Sequence, residues 1–216
     1  MTNFATEGQQ RRIEELFGFK GELIRDEVVA RAAAASRSYV DGFYPPSAPG
    51  SVRWIHTVSS LREALVPLGY VPSEAGQLSR AVNYERRVAI LPSTGSSRTG
   101  MPFYIAGKHP TTKWPKGERL AEAVKQNAQL ALFGNEPEPA EGDFEDPALE
   151  TWMLLQHATK EEVRSELSLP ADINSKGFIT SWRVRLILPP HSNEGGPVDD
   201  YDDGDDDSID VPVEPK

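Results

Sequence analysis

The 216-residue chain predicts an α+β fold in which N-terminal helices pack with a small, mainly antiparallel sheet. Three observations predict it. Apolar residues recur at helical spacing through the first third, two short extended runs joined by a turn follow, and strand-like runs occupy the last third. A chain of this length builds one core without staples, and the absence of cysteine removes disulfides, thiolate ligands and a cysteine nucleophile. Residues 1–190 are read as one domain, with a long loop at 92–117 and an acidic linker at 135–147. Residues 191–216 are read as a disordered acidic tail.

The elements follow in order. Ile13, Leu16 and Phe17 are spaced for a first helix, and Ile24, Val28, Ala32 and Ala35 for a second, with Gly18 and Gly21 between them. The stiff connector Tyr44 to Gly50 leads into a third helix carrying Trp54, Val58, Leu61 and Leu65, which Pro67 ends. Leu78–Val82 and Arg86–Leu91 read as a hairpin across Asn83, Tyr84 and Glu85. Pro115-Lys116-Gly117 opens a helix that runs to about Phe133, where Gly134 stops it. Thr151–His157 reads as a strand covered on both sides, with Trp152 and Leu154 on one face and Met153 and Leu155 on the other. Thr159 and Glu162 read as a capping box for a short helix carrying Val163 and Leu167 and ended by Pro170. Trp182, Val184, Leu186 and Leu188 alternate with Arg183 and Arg185, the pattern of a half-buried strand.

The formal charge of −10 is unevenly placed. Residues 1–134 hold 17 Lys/Arg against 12 Asp/Glu, a net +5, whereas residues 135–146 hold six acids and no base. Residues 198–216 hold nine acids and one base, a net −8, so a mildly basic body carries an acidic linker and tail that it attracts. A mean hydropathy of −0.48, short apolar stretches and a start without a basic-then-apolar leader predict a cytoplasmic protein with no membrane contact.

Little in the chain points to catalysis. His56, His109, His157 and His191 are scattered and show no metal-ligand spacing, no serine sits in a nucleophile elbow, and neither a metal nor a cofactor is expected. Gly95-Ser96-Ser97-Arg98-Thr99-Gly100 has the composition of a phosphate-binding turn. Met101-Pro102 follows it, however, where a nucleotide loop needs Lys and Ser/Thr. The surrounding segment is a better candidate for a nucleic-acid backbone. Arg98, Lys108, His109, Lys113, Lys116, Arg119 and Lys125 are interleaved with Phe103, Tyr104 and Trp114, joining phosphate-neutralising charge to stacking surface.

Gln129-Leu130-Ala131-Leu132-Phe133 resembles the bacterial sliding-clamp-binding pentapeptide, and all its fixed positions match. The resemblance implies docking in the hydrophobic cleft of the replication clamp, with Gln129 hydrogen-bonding and Leu130, Leu132 and Phe133 supplying apolar contact. Leu120, Val124, Ala128, Ala131 and Leu132 equally form the stripe of an ordinary amphipathic helix. The body from Trp54 through Leu188 resembles uncharacterised bacterial and phage-borne proteins, and that likeness implies no activity. The leading expectation is a non-enzymatic accessory protein of bacterial or phage DNA metabolism that docks on the sliding clamp through Gln129–Phe133 and turns its basic loop to nucleic acid, a keyword set of replication, repair and clamp binding. Its partners would be the clamp and nucleic acid. The alternative is an inhibitor whose Asp-rich tail mimics DNA.

Overall fold

A computed structural model of the chain describes residues 4–39, 42–133 and 149–199, with side-chain surroundings as far as Leu130 in the helix that ends the middle stretch. Helix α1 (Glu7–Phe17) begins at a capping box in which the Thr6 hydroxyl accepts the Gln9 amide, and Gly18, in the left-handed region at φ 76°, ends it. After it, α2 (Gly21–Leu23) passes through a π-helical stretch, Ile24–Val29, into α3 (Ala30–Arg37). The wider π turn shifts the buried stripe, so Ile24 and Val28 are followed by Val29, Ala32, Ala33 and Ser36, while Ala35 is half-buried.

In α4 (Ala48–Leu65) the buried stripe is Arg53, Thr57, Ser60, Leu61 and Leu65. The expected stripe is thus turned by one residue at its N-terminal half, and Trp54 lies exposed. The cause is Arg53, whose guanidinium donates to both carboxylate oxygens of buried Asp199 at 2.8 and 3.2 Å.

The sheet follows chain order: β1 (Val71–Ser73), β2 (Arg80–Asn83), β3 (Val88–Thr94), β4 (Glu150–Ala158), β5 (Glu162–Ile173) and β6 (Ile179–Ile187), with β7 (His191–Ser192) on the start of β5. Every pair is antiparallel except β3 with β4. The expected hairpin is β2–β3, and α+β with a mostly antiparallel sheet is the architecture. The crossover from β3 to β4 carries a helical turn, α5 (Phe103–Ala106), and the long helix α6 (Glu118–Phe133). Alternation along β4 builds two cores. Trp152 and Leu154 pack with Phe17, Ile24, Leu61 and Leu65 under α1–α4, and Met153 and Leu155 pack with Leu120, Ala123 and Val124 of α6. Phe17 meets the Trp152 ring edge-on at 5.0 Å, and the Tyr70 hydroxyl donates to the Phe17 carbonyl.

Two expectations are corrected. The segment after Thr159 is strand β5, not a short helix. The Thr159 hydroxyl accepts the Glu161 and Glu162 amides, but its own amide donates to the Glu162 carbonyl at 2.8 Å, which pairs the ends of β4 and β5 across a tight hairpin connection. Val163 and Leu167 lie four apart, a spacing that satisfies a strand face as well as a helix face. Pro170 does not end the element: it sits where the register slips from Leu169 opposite Val184 to Pro170 opposite Trp182, so its missing N–H falls in a broken ladder. The extra residue of that bulge, Arg183, re-aims Trp182 onto the α6 side, where the indole donates to the Pro110 carbonyl at 2.7 Å.

The second correction is the start of the tail. Residues 191–199 belong to the fold through β7 and through Asp199, whose amide donates to the Ala158 carbonyl and whose carboxylate accepts the Ala158 amide. The acidic linker at 135–147 and residues 200–216 lie outside the described residues. Among the described residues no helix is long and apolar enough to cross a membrane.

A buried ion pair ties the crossover to the sheet. Glu166, fully buried on β5, accepts from Arg185 Nε at 2.9 Å, from the Ser168 hydroxyl at 2.6 Å and from the Gly100 amide at 2.8 Å. Arg185 also donates to the Met101 carbonyl. Removing one partner leaves the other charge buried alone, so Glu166→Leu is expected to cost about 3–5 kcal/mol in urea unfolding, and the double replacement Glu166→Leu/Arg185→Met to recover much of that loss.

Candidate nucleic-acid interface

The crossover leaves β3 at Thr94 and returns over the second face of the sheet. Gly95 bridges Thr112, Ser96 exchanges hydrogen bonds with Thr111, and the Lys113 amide donates to the Thr94 carbonyl, so a two-stranded stem carries the lobe. Inside the stem the Gly95–Gly100 turn spends its amides on the protein itself. Gly95 donates to Gln156, Ser96 to Thr111, Thr99 to Ser96 and Gly100 to the Glu166 carboxylate. The anion in this turn is therefore an internal side chain, and Ser96 and Thr99 are fully buried. Gly100 is required here: φ is +71°, and a Cβ would stand 2.8 Å from that of Arg164.

Beyond the turn the chain faces outward. Phe103, Tyr104 and Trp114 are 53%, 82% and 61% exposed, and Ile105 joins them. The Phe103 ring lies 4.9 Å from that of His109, and Lys113 Nζ sits 5.7 Å over the Trp114 ring. Lys108 is exposed beside them, Arg98 is half-buried, and exposed Arg119 reaches Glu122 at 3.4 Å. From Gly95 to Gly117 no acidic residue occurs. The fold thus gathers Arg98, Lys108, Lys113, Trp114 and Arg119 on one crossover.

Lys116 departs from that set. Its ammonium turns inward and donates to the hydroxyl of buried Ser93 at 2.8 Å, while its amide donates to the Gly177 carbonyl in the β5–β6 turn. Burial pushes the amine down to about 8 from its ordinary 10.5. The pairing with Ser93 has no signature in the sequence, because the two residues meet only through the crossover.

The pentapeptide is the last part of α6 rather than an extended segment. Gln129 is exposed and Leu130 half-buried, while the side chains of Leu132 and Phe133 lie outside the described residues. Two residues earlier, buried Asn127 latches the helix to β4: its side chain accepts the Thr151 amide at 2.8 Å and donates to the Thr151 carbonyl at 3.0 Å. Arg183 donates to the Asn127 carbonyl from β6. A lone Asn on the apolar stripe of α6 is the signal that marks this latch in the sequence.

His157 is buried in β4 with no partner at Nδ1. Burial holds the imidazole below its ordinary 6.5, against the opposing pull of the Asp199 carboxylate. Among the described residues no group of His, Asp and Glu is arranged to hold a metal ion. Comparison of the chain with protein-family models, with curated proteins and with solved structures finds no match.

Two outcomes test this geometry. Gly100→Ala is expected to destabilise the fold by at least about 1 kcal/mol, from the left-handed backbone alone, with further loss from the clash at Arg164; thermal melts check it. Lys116 binds its proton more tightly unfolded than folded, so its burial penalty is full below pH 8 and is relieved as the pH rises from about 8 to about 10.5. The stability of the wild type relative to Lys116→Met is therefore expected to rise across that window, as read by urea unfolding at each pH.

Proposed function

We propose that the protein is a non-enzymatic accessory factor of bacterial or phage DNA metabolism that holds single-stranded nucleic acid on its crossover lobe. The observation that carries the reading is the exposure of Phe103, Tyr104 and Trp114 on a segment that carries Arg98, Lys108 and Lys113 and no acidic residue. Unstacked bases lie on aromatic faces at about 1–3 kcal/mol each, and neighbouring cations neutralise the phosphates between them. Because stacking accepts any base, the binding is expected to be sequence-tolerant.

A second reading, clamp docking through Gln129–Phe133, is supported by the position of the Asn127 latch. The hydrogen bonds to Thr151 hold the helix at Asn127, two residues before the pentapeptide, so docking would require unwinding of the end of α6 only. Burial of three apolar side chains at about 2 kcal/mol each, less the ordering of the peptide, corresponds to a micromolar or weaker contact. The alternative, inhibition by an acidic tail that mimics DNA, is supported by the eight acids that follow Asp199.

Fluorescence anisotropy with a labelled oligothymidine separates these readings. The wild type is expected to bind with a log–log salt slope of about −0.7 per phosphate contact, and Tyr104→Ala/Trp114→Ala to bind at least about tenfold more weakly. Gln129→Ala/Phe133→Ala is expected to leave the oligonucleotide affinity unchanged and to abolish the heat of titration into a sliding clamp. Truncation after Asp199, which keeps the Arg53 pair intact, abolishes inhibition of a nucleic-acid-binding partner only if the tail is the active element.

A further inference from the structure

The inward side of the crossover holds a feature that nucleic-acid binding does not use. A cleft of about 620 Å³ lies between the Gly76–Ser79 segment, the end of β3, Trp54 of α4 and the first turn of α6. Trp54, Leu78, Leu91, Pro92 and Leu120 give it an apolar side, and Gln77, Ser79 and Lys116 are among its polar lining. The Lys116 amine has a neutral hydroxyl, Ser93, as its acceptor, and no carboxylate of the described residues pairs with it. Arg53 and Arg185, by contrast, each meet a buried carboxylate. A buried ammonium without a counter-charge is costly unless an anion joins it. Two further charged residues line the cleft, exposed Glu118 and Arg119, and Arg119 reaches Glu122 at 3.4 Å. The first amides of α6, a helix of 16 residues, add partial positive charge at the same wall.

We propose that this cleft binds a small monocarboxylate with an apolar body. The carboxylate pairs with the Lys116 amine, which Ser93, outside the cleft lining, holds by a hydrogen bond of 2.8 Å. The apolar body lies against Trp54, Leu78, Leu91 and Pro92. One compact ammonium balances one charge, and Glu118 at the rim opposes a more highly charged ligand. Arg119 borders both the cleft and the lobe's outer surface, whereas Trp114 is exposed and the Lys116 ammonium turns inward to Ser93.

The test uses the full-length protein and two probes of equal shape, 4-(trifluoromethyl)benzoate and the neutral 4-(trifluoromethyl)benzamide, followed by fluorine NMR and tryptophan fluorescence. Saturable binding of the benzoate at pH 7, at least about tenfold tighter than that of the amide, is expected, as is weakening above about pH 8 as the amine loses its proton. Lys116→Met, which keeps the stem and removes the charge, is expected to erase the preference for the benzoate. Leu78→Trp, which fills the cleft, is expected to abolish binding of both probes. Equal binding of the two probes to the wild type, an unchanged preference in folded Lys116→Met, or the absence of saturable benzoate binding overturns the proposal. The comparison of probes on the wild type reads the result even if a variant does not fold.

Discussion

Strands β3 and β4 run side by side in the same direction, and a parallel neighbour cannot be reached by a tight turn. The chain must leave the sheet at Thr94, cross a face and re-enter at Glu150, and everything distinctive about the second face follows from that detour. The crossover brings α6 onto Met153 and Leu155, so β4 is buried on both sides and both sets of its alternating residues are apolar. It also carries the stem, which hydrogen-bonds to β4 and β6, and leaves the aromatic residues Phe103, Tyr104 and Trp114 exposed. The remaining pairs close by short connections and leave nothing comparable outside the core.

A detour of this kind has to be pinned, and the pins are polar. Glu166 with Arg185 holds the Gly95–Met101 turn, Asn127 holds the far end of α6, and Asp199 with Arg53 ties the end of the described chain to α4. Buried ion pairs contribute little net stability, because desolvation offsets most of their attraction, but leaving one half unpaired is strongly unfavourable. Their effect is to select one arrangement of the crossover among those that bury similar apolar area. The Gly95–Gly100 turn shows the consequence, since amides that could hold a phosphate hold Glu166 instead.

How much of this was legible in the sequence depends on whether the controlling interaction is local. The β2–β3 hairpin, the extent of α6 and the two faces of β4 were readable, because turn residues, helix stops and strict alternation lie within a dozen neighbours. The strand nature of β5 was not: Val163 and Leu167 fit either period, and the Thr159 hydroxyl makes the same acceptor contacts in a hairpin connection as at a helix start. The inward turn of Arg53 was hidden for another reason, since its partner Asp199 lies 146 residues away in a segment whose composition reads as tail. In the candidate interface the exposed aromatics lie with Arg98, Lys108, Lys113 and Arg119 on one crossover, as their nearness in sequence suggests. The inward turn of Lys116 was not legible, because only the tertiary crossover brings Ser93 beneath it.

The backbone around Lys116 explains why one short stretch can serve two surfaces. Gly177, at φ +83°, packs so closely under this stretch that a Cβ there would lie 3.0 Å from the Lys116 carbonyl, and its own carbonyl accepts the Lys116 amide at 2.7 Å. The segment is held on a fixed line by main-chain contact, independently of what its side chains meet. From that line Trp114 projects to solvent and Lys116 to the cleft. Charge at an exposed surface is screened by water and salt and contributes mainly long-range, salt-sensitive attraction. The ammonium on the inner side is desolvated, so its interaction with an anion is short-ranged and less screened. The two sides therefore differ in physical regime as well as in direction. Salt should weaken binding at the outer surface far more steeply than binding in the cleft, which separates the two activities in a single protein without any substitution.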